Sequence, residues 1–190
     1  MTTITRVYDN YSEAQEVVNA LEAAGVDSEA ISLVSNRNDS ATGDGAATGA
    51  GVGTALGGGA GLLAGLGVMA IPGLGPVVAA GWLASTAAGA VAGAVAGAAA
   101  GGLIGALNET GMSADDASMY AEGVRRGGAL VSVKVDDSQE TRVLDILDAH
   151  EPWDMNERRE NWRREGWTKF DPDGRPRTPE EIIRERNMYL

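Results

Sequence analysis

Apolar and polar positions divide the chain into three kinds of segment. Thr3 to Tyr8 is rich in β-branched and aromatic residues and predicts a strand, which Asp9-Asn10 ends. Ser12 and Gln15 have the spacing of a capping box. Ala14, Val17, Val18 and Leu21 then recur at the interval of one helical face. Gly25 is a helix stop, and Ile31 to Val34 predicts a second strand. Much later, Ser113 to Gly127 predicts a helix with Ala117, Tyr120, Ala121 and Val124 on one side. In Leu130 to Val135, Val131, Val133 and Val135 point one way and Ser132 and Lys134 the other. A last helix carries Val143, Leu144, Ile146 and Leu147 behind a cap at Asp136 to Ser138, and Trp153 to Asn156 is a candidate fourth strand. Two such units predict an α+β fold with a ferredoxin-like sheet and helices on one face; a three-stranded sheet is the alternative.

Between the two units the pattern changes. From Gly45 to Asn108 there are 64 residues without Asp, Glu, Lys or Arg. Two prolines and two glycines within Ile71 to Pro76 mark a turn. The flanks, Thr48 to Ala70 and Val77 to Leu107, are long enough for helices of roughly 35 and 45 Å. Gly49, Gly53, Gly57, Gly61 and Gly65 recur every four residues before the turn. Gly81, Ser85, Gly89, Gly93, Gly97, Gly101 and Gly105 do so after it. Four residues is close to one helical turn, so each series forms a groove that another backbone can approach closely. Dispersion and weak Cα–H···O contacts then replace bulky side-chain packing. Flexible linkers are also glycine-rich, but they do not keep a register or carry Leu62, Leu63, Val77, Leu103 and Ile104. The expectation is a long antiparallel glycine-zipper hairpin, with its glycines as helix-packing and oligomerisation residues.

The expected domains are 1–44 with 109–156 as a split α+β unit, 45–108 as the hairpin, and 157–190 as a charged tail. The tail contains Pro172, Pro176 and Pro179, yet the carboxy-terminal segment also carries Trp153, Trp162, Trp167 and Phe170. Disordered segments are poor in aromatics, so these four are expected to dock the tail, on its own domain or on a neighbouring copy. Thr178 and Pro179 have the order of a cap and first residue of a short helix ending near Arg186.

Charge and composition narrow the function. The net charge of −12 is concentrated before Glu151, where 17 acids face 6 bases. An acidic body argues against nucleic acid as a partner and against recruitment to anionic lipid by charge. Without cysteine there is no thiol chemistry or disulfide. His150 is the sole histidine, which excludes a multi-histidine metal site within one chain and leaves a Ser-His-Asp triad without a nucleophile elbow. Gly65 to Ala70 fits a loose dinucleotide fingerprint but lies inside the charge-free stretch and is cut off by Pro72. Asp115-Asp116 and Asp136-Asp137 read as helix caps before calcium ligands. No catalytic residue, metal, cofactor or small-molecule substrate is expected, and the chain is not expected to be an enzyme.

The Tyr8-Asp9-Asn10 turn, the Ser12-Glu13-Ala14 helix start, Leu21 to Gly25 and Ile31 to Val34 resemble the opening of the bacterial heat-induced general stress protein domain. Gly127 to Val133 resembles its second half. The resemblance implies a small bacterial stress-linked protein, cytoplasmic or membrane-associated, with no catalytic residues to carry over. The hairpin fits two placements. Arg37, Arg125 and Arg126 flank it on one side, which puts both ends in the cytoplasm and Trp82 near the far interface of the inner membrane. A soluble oligomer, cage or filament buries the same surface between copies of the chain. The expected partners are therefore self and, in the first placement, a lipid bilayer. A ligand-sensing ferredoxin-like regulatory domain is the third reading, from fold analogy.

Overall fold

The computed structural model describes residues 1–36, 67–71, 73–86 and 98–189. Strand β1 (Thr2–Tyr8) leads into helix α1 (Tyr11–Ala23), a short 3₁₀ turn (Ser28–Ala30) and β2 (Ile31–Asn36). Next come β3 (Gly67–Ile71) and β4 (Gly75–Gly81), then α2 (Ala98–Glu109) and α3 (Ala114–Arg125). Strand β5 (Ala129–Val135), α4 (Glu140–Asp148), α5 (Met155–Arg164) and α6 (Pro179–Asn187) complete the chain.

The strands form one antiparallel sheet in the order β1-β5-β2-β4-β3. β5 lies between the parallel strands β1 and β2, the split strand-helix-strand arrangement of a ferredoxin-like sheet. The fold class is α+β, as the patterning predicts. Ile4, Tyr8, Ile31, Leu33, Val131 and Val133 face α1 and α4, where they meet Val17, Val18, Leu21, Val143 and Leu147. Each of these α1 and α4 residues is fully buried. Tyr8 Oη donates to the Leu147 carbonyl at 3.0 Å, and burial raises its hydroxyl pKa well above the usual tyrosine range.

The expectation of helices on one face describes α1 and α4 but not the rest. The other sheet face, with Val7, Leu130, Val34, Val77 and Ala79, packs under α2, α3 and the tail. Thr5 and Ser132 also lie on this face, sharing a 3.0 Å side-chain hydrogen bond.

Within 45–108, the described residues 67–71 and 75–81 are strands of the sheet. The expected turn is present, with Leu74 N donating to Ile71 O at 3.0 Å, but it joins two strands and not two helices. Gly73 and Gly75 have φ of 76° and 85°, which end any helix there, and Val68, Ile71, Val77 and Val78 favour extended backbone. The pairing also occupies the edge of β2, which would otherwise be open. Gly81, at φ 79°, ends β4, so the first member of the second glycine series belongs to a strand end. Trp82 lies over Lys134, 3.8 Å from Nζ to ring centre, and not at the tip of a helical hairpin.

Smaller features also differ from the sequence reading. The α1 cap is Asn10, whose Oδ1 accepts from Glu13 N at 3.0 Å while Glu13 Oε2 accepts from Asp9 N at 3.2 Å. The reciprocal cap therefore begins two residues before Ser12. Helix α4 starts behind Gln139 without a side-chain cap bond. The candidate fourth strand supplies one ladder bond, Trp153 N to Val7 O at 2.7 Å. Glu151 at φ 48° and Pro152, which lacks an amide hydrogen, stop it on one side, and Asp154 caps α5 on the other.

Candidate functional site

The tail aromatics and the glycines are the sequence-derived site residues, and the structure treats them differently. Gly49, Gly53, Gly57, Gly61, Gly65, Gly89, Gly93 and Gly97 lie outside the described residues. Gly101 and Gly105 lie on α2, and among the described residues nothing lies within 4 Å of a Cβ at Gly105. The four aromatics are all within the described residues. Trp153, Trp162 and Phe170 are buried, and Trp167 is half-buried with its ring edge-on to Trp162 at 5.8 Å.

The seat for the tail is built around α3. Ser113 caps this helix, its Oγ accepting from Asp116 N at 3.1 Å. Ala117, Ala121 and Val124 face the sheet side of the core. Glu122 and Arg126, one turn apart, present a buried ion pair toward the tail. Helix α5 answers with Met155, Arg158 and Trp162, buried at helical spacing, and α6 with Ile182 and Glu185. The α6 start is a full capping box between Thr178 and Glu181, with Pro179 in the first turn.

Arg126 is the centre of the charged part. Its Nε donates to Glu122 at 2.7 Å, and its Nη1 to Glu185 at 2.9 Å and Glu165 at 3.0 Å. Burial alone would lower its pKa, but the Glu122 hydrogen bond and the Glu185 and Glu122 charges reverse that, so the net shift is upward. Trp162 Nε1 donates to the same Glu185 carboxylate at 2.8 Å, and Arg126 lies 4.9 Å from the Trp162 ring. A second arginine, Arg158, is held between the Trp153 and Tyr189 rings at 3.9 and 3.5 Å. Desolvation lowers its pKa, with Asp9 opposing from 3.6 Å. A cleft of about 480 Å³ follows this seam, lined by Asp9, Trp153, Asp154, Glu157, Arg158 and Tyr189.

Four glycines receive the tail. A Cβ on Gly127, at φ 100°, would lie 2.2 Å from Ile182 Cγ2. One on Gly128 would lie 2.5 Å from Val7 and 2.9 Å from Trp153. On the β3–β4 turn, a Cβ at Gly73 would meet the Asp171 carbonyl at 2.6 Å and the Phe170 ring at 2.9 Å, and one at Gly75 would meet Pro176 at 2.9 Å. The Phe170 amide is fixed by Ser118 Oγ at 2.7 Å.

Sequence reasoning missed Arg126, Arg158, Ile182, Glu185 and the four receiving glycines. The Glu122–Arg126 spacing was a visible signal for an ion pair on one helix face. The near balance of acids and bases in the tail was a signal that some tail charges would be paired. Among the described residues no cluster of His, Asp and Glu is arranged to hold a metal ion, and no helix is long and apolar enough to cross a membrane.

No curated protein and no solved structure matches the chain. Residues 3–66 match the model of the heat induced stress protein YflT domain, the family that Tyr8 to Val34 resemble; the second resembling stretch, Gly127 to Val133, lies beyond the matched residues.

Proposed function

We propose that this chain is a non-enzymatic structural protein of the general stress response that self-associates through its glycine-rich insert. The observation that carries this reading is the charge-free stretch from Gly45 to Asn108 with glycines in four-residue register. A surface of Gly and Ala offers little to a substrate and much to another backbone. The match over residues 3–66 supports the stress role. The ferredoxin-like body is the carrier that roots the insert: β2 leads into it and α2 leads out of it.

The insert's turn favours association between copies over a bilayer-spanning hairpin. A spanning hairpin needs its tip on the far side of the membrane. Here residues 73–75 lie against the tail, and the buried Asn36 Nδ2 donates to Leu74 O at 3.1 Å. In this conformation the tip stays with the body. The protein then works as a homo-oligomer without cofactor or substrate, and membrane binding requires the tip to leave its seat.

Gly93→Leu with Gly97→Leu tests the reading, because two isobutyl groups would wedge apart any surface that relies on those glycines. The wild-type chain is expected to run as a defined oligomer by light scattering and the double variant as a smaller species. An unchanged mass in the variant would exclude these glycines as the packing surface.

A further inference from the structure

We infer that the 170–176 segment of the tail is a latch that holds the β3–β4 hairpin in the sheet and so keeps the hairpin's own surface out of the self-association made by the rest of the insert, limiting its size. The second half of this inference rests on the function proposed above; the first half does not.

Three observations converge on it. The hairpin is a weak piece of sheet by composition. β4 reads Gly-Pro-Val-Val-Ala-Ala-Gly, so its cross-strand partners for Leu33 and Val34 are Ala80 and Ala79, with little side chain to pair. Beyond it, β3 pairs with β4 alone among the described strands. The neighbouring sequence suits another structure: Gly81, which ends β4, opens the four-residue Gly/Ser series that runs on to Gly105. Disagreement between local pattern and tertiary setting lowers the energy gap that holds a segment in one packing.

The latch is fitted to that segment. Phe170, Asp171 and Pro176 contact the turn at the two glycines where a side chain would not fit. Phe170 is 4% exposed and belongs to the core cluster that includes Ile71, Leu74 and Val77. Leu74 at the turn apex is 1% exposed. Moving the 170–176 segment would uncover that apex and leave Asn36 as its remaining described polar tie.

The latch is also separable from the body. The segment around it is exposed at Asp171, Pro172, Asp173, Arg175 and Pro176, and its anchors are few: the Phe170 ring, the Ser118 bond to its amide and the Arg125 guanidinium 5.8 Å from the ring. The α1–α4 face, by contrast, makes no use of the tail. The latch can therefore open while the ferredoxin-like body stays folded, the behaviour of a low-stability cooperative unit. The partner that the freed hairpin meets is a second copy of this chain, because the exposed surface is the uncharged strand and glycine surface itself.

The chain has no cysteine, so an engineered disulfide can close the latch without side reactions. An ideal Cβ at Gly75 lies 2.9 Å from Pro176 Cβ, so a disulfide needs the exposed loop to give by about 1 Å, and Gly75, at φ 85°, makes the pair a strained one that opens readily on reduction. Gly75→Cys with Pro176→Cys gives the locked form when oxidised, and Phe170→Ala with Pro176→Gly gives the loosened form. Hydrogen exchange at residues 75–81 reads the latch, α1 and α4 serve as the internal control for folding, and light scattering reads assembly. In the loosened form, exchange at 75–81 is expected to rise about tenfold or more with α1 and α4 unchanged. Reduction of the disulfide form is expected to do the same relative to its oxidised form. Mass should rise with exchange. Unchanged exchange at 75–81 in both comparisons would overturn the latch whatever the mass. Faster exchange with unchanged mass would uphold the latch and overturn association through the insert. Faster exchange with capture by neutral phosphatidylcholine vesicles, and no change of mass in their absence, would overturn the choice of a second copy as partner.

Discussion

The two faces of the sheet are covered in different ways. On one, α1 and α4 bury aliphatic side chains against β1, β5 and β2, with no charged residue in the cluster. On the other, α3 and the tail meet through two buried arginines, two buried glutamates, aromatic rings and bare glycine backbone. The first is a core whose stability comes from apolar area removed from water. In the second the desolvation of Glu122, Arg126, Arg158 and Glu185 offsets much of what their pairing contributes. The difference teaches that one chain can carry a permanent half and a conditional half on the same sheet. Covering one face in hydrocarbon fixes the fold, while covering the other in paired charge makes docking specific without making it very strong.

The largest effect that tests this contrast is expected from Trp162→Ala. Losing a fully buried tryptophan, together with its bond to Glu185, should cost about 3–5 kcal/mol of tail docking. Proteolysis should then cut the tail while the near-UV signal of Tyr8 and exchange in α1 stay native. Leu21→Ala, on the other face, should cost about 2–5 kcal/mol and lower the melting temperature of the whole body. If the two variants unfold with identical profiles, the halves are not separable.

Next in size is Arg126→Met, which strands Glu185 without its cation and leaves Glu122 to Arg125 alone. Breaking a buried pair from one side costs about 3 kcal/mol or more. Adding Glu122→Gln and Glu185→Gln to Arg126→Met should recover part of that loss, measured by denaturant titration with a probe on the tail. A triple variant less stable than the single one would mean that the charges contribute net binding energy.

The smallest effect concerns acid. The Arg175 hydrogen bond and the Thr178 amide hold the Glu181 carboxyl down at about 2, from an ordinary value of 4.5. A depressed folded-state pKa means the cap contributes fully above the ordinary value and is lost as pH falls through about 2. Carboxyl resonances should show Glu181 titrating near 2, and Arg175→Ala should bring its midpoint back toward the ordinary value. Because Arg175 is largely exposed, salt should weaken the effect.

How much was readable depended on whether the determining contact was local. The alternation of Val131, Val133 and Val135 placed them on one face without knowledge of neighbours, and the α1 stripe did the same. The Thr178-Pro179-Glu181 start of α6 was a local signal too. Residues 67–81 were not readable in this way. They join two glycine series whose spacing suits helix packing, and what selects strand is the edge of β2, more than thirty residues earlier, together with Phe170 and Pro176 far downstream. Tertiary context overrides propensity most easily where Gly and Ala leave the propensity weak. Gly127-Gly128 read as a helix break, which it is. That the pair also receives Ile182 and Trp153 depended on a tail whose position no periodicity encodes.

The covering of β1 sets a limit on stoichiometry. Along its outer side, Val7 O is taken by Trp153, and Thr5 O by Arg6 and Tyr120, with Arg6 itself tied to Asp148. With its Thr5 and Val7 carbonyls engaged, that margin is a poor place for another strand to add. Among the described strands the other margin is β3, and copies that met through it on both sides would make a twofold contact that uses up its own surface. Such a contact would close on itself as a pair and would not propagate into a fibre.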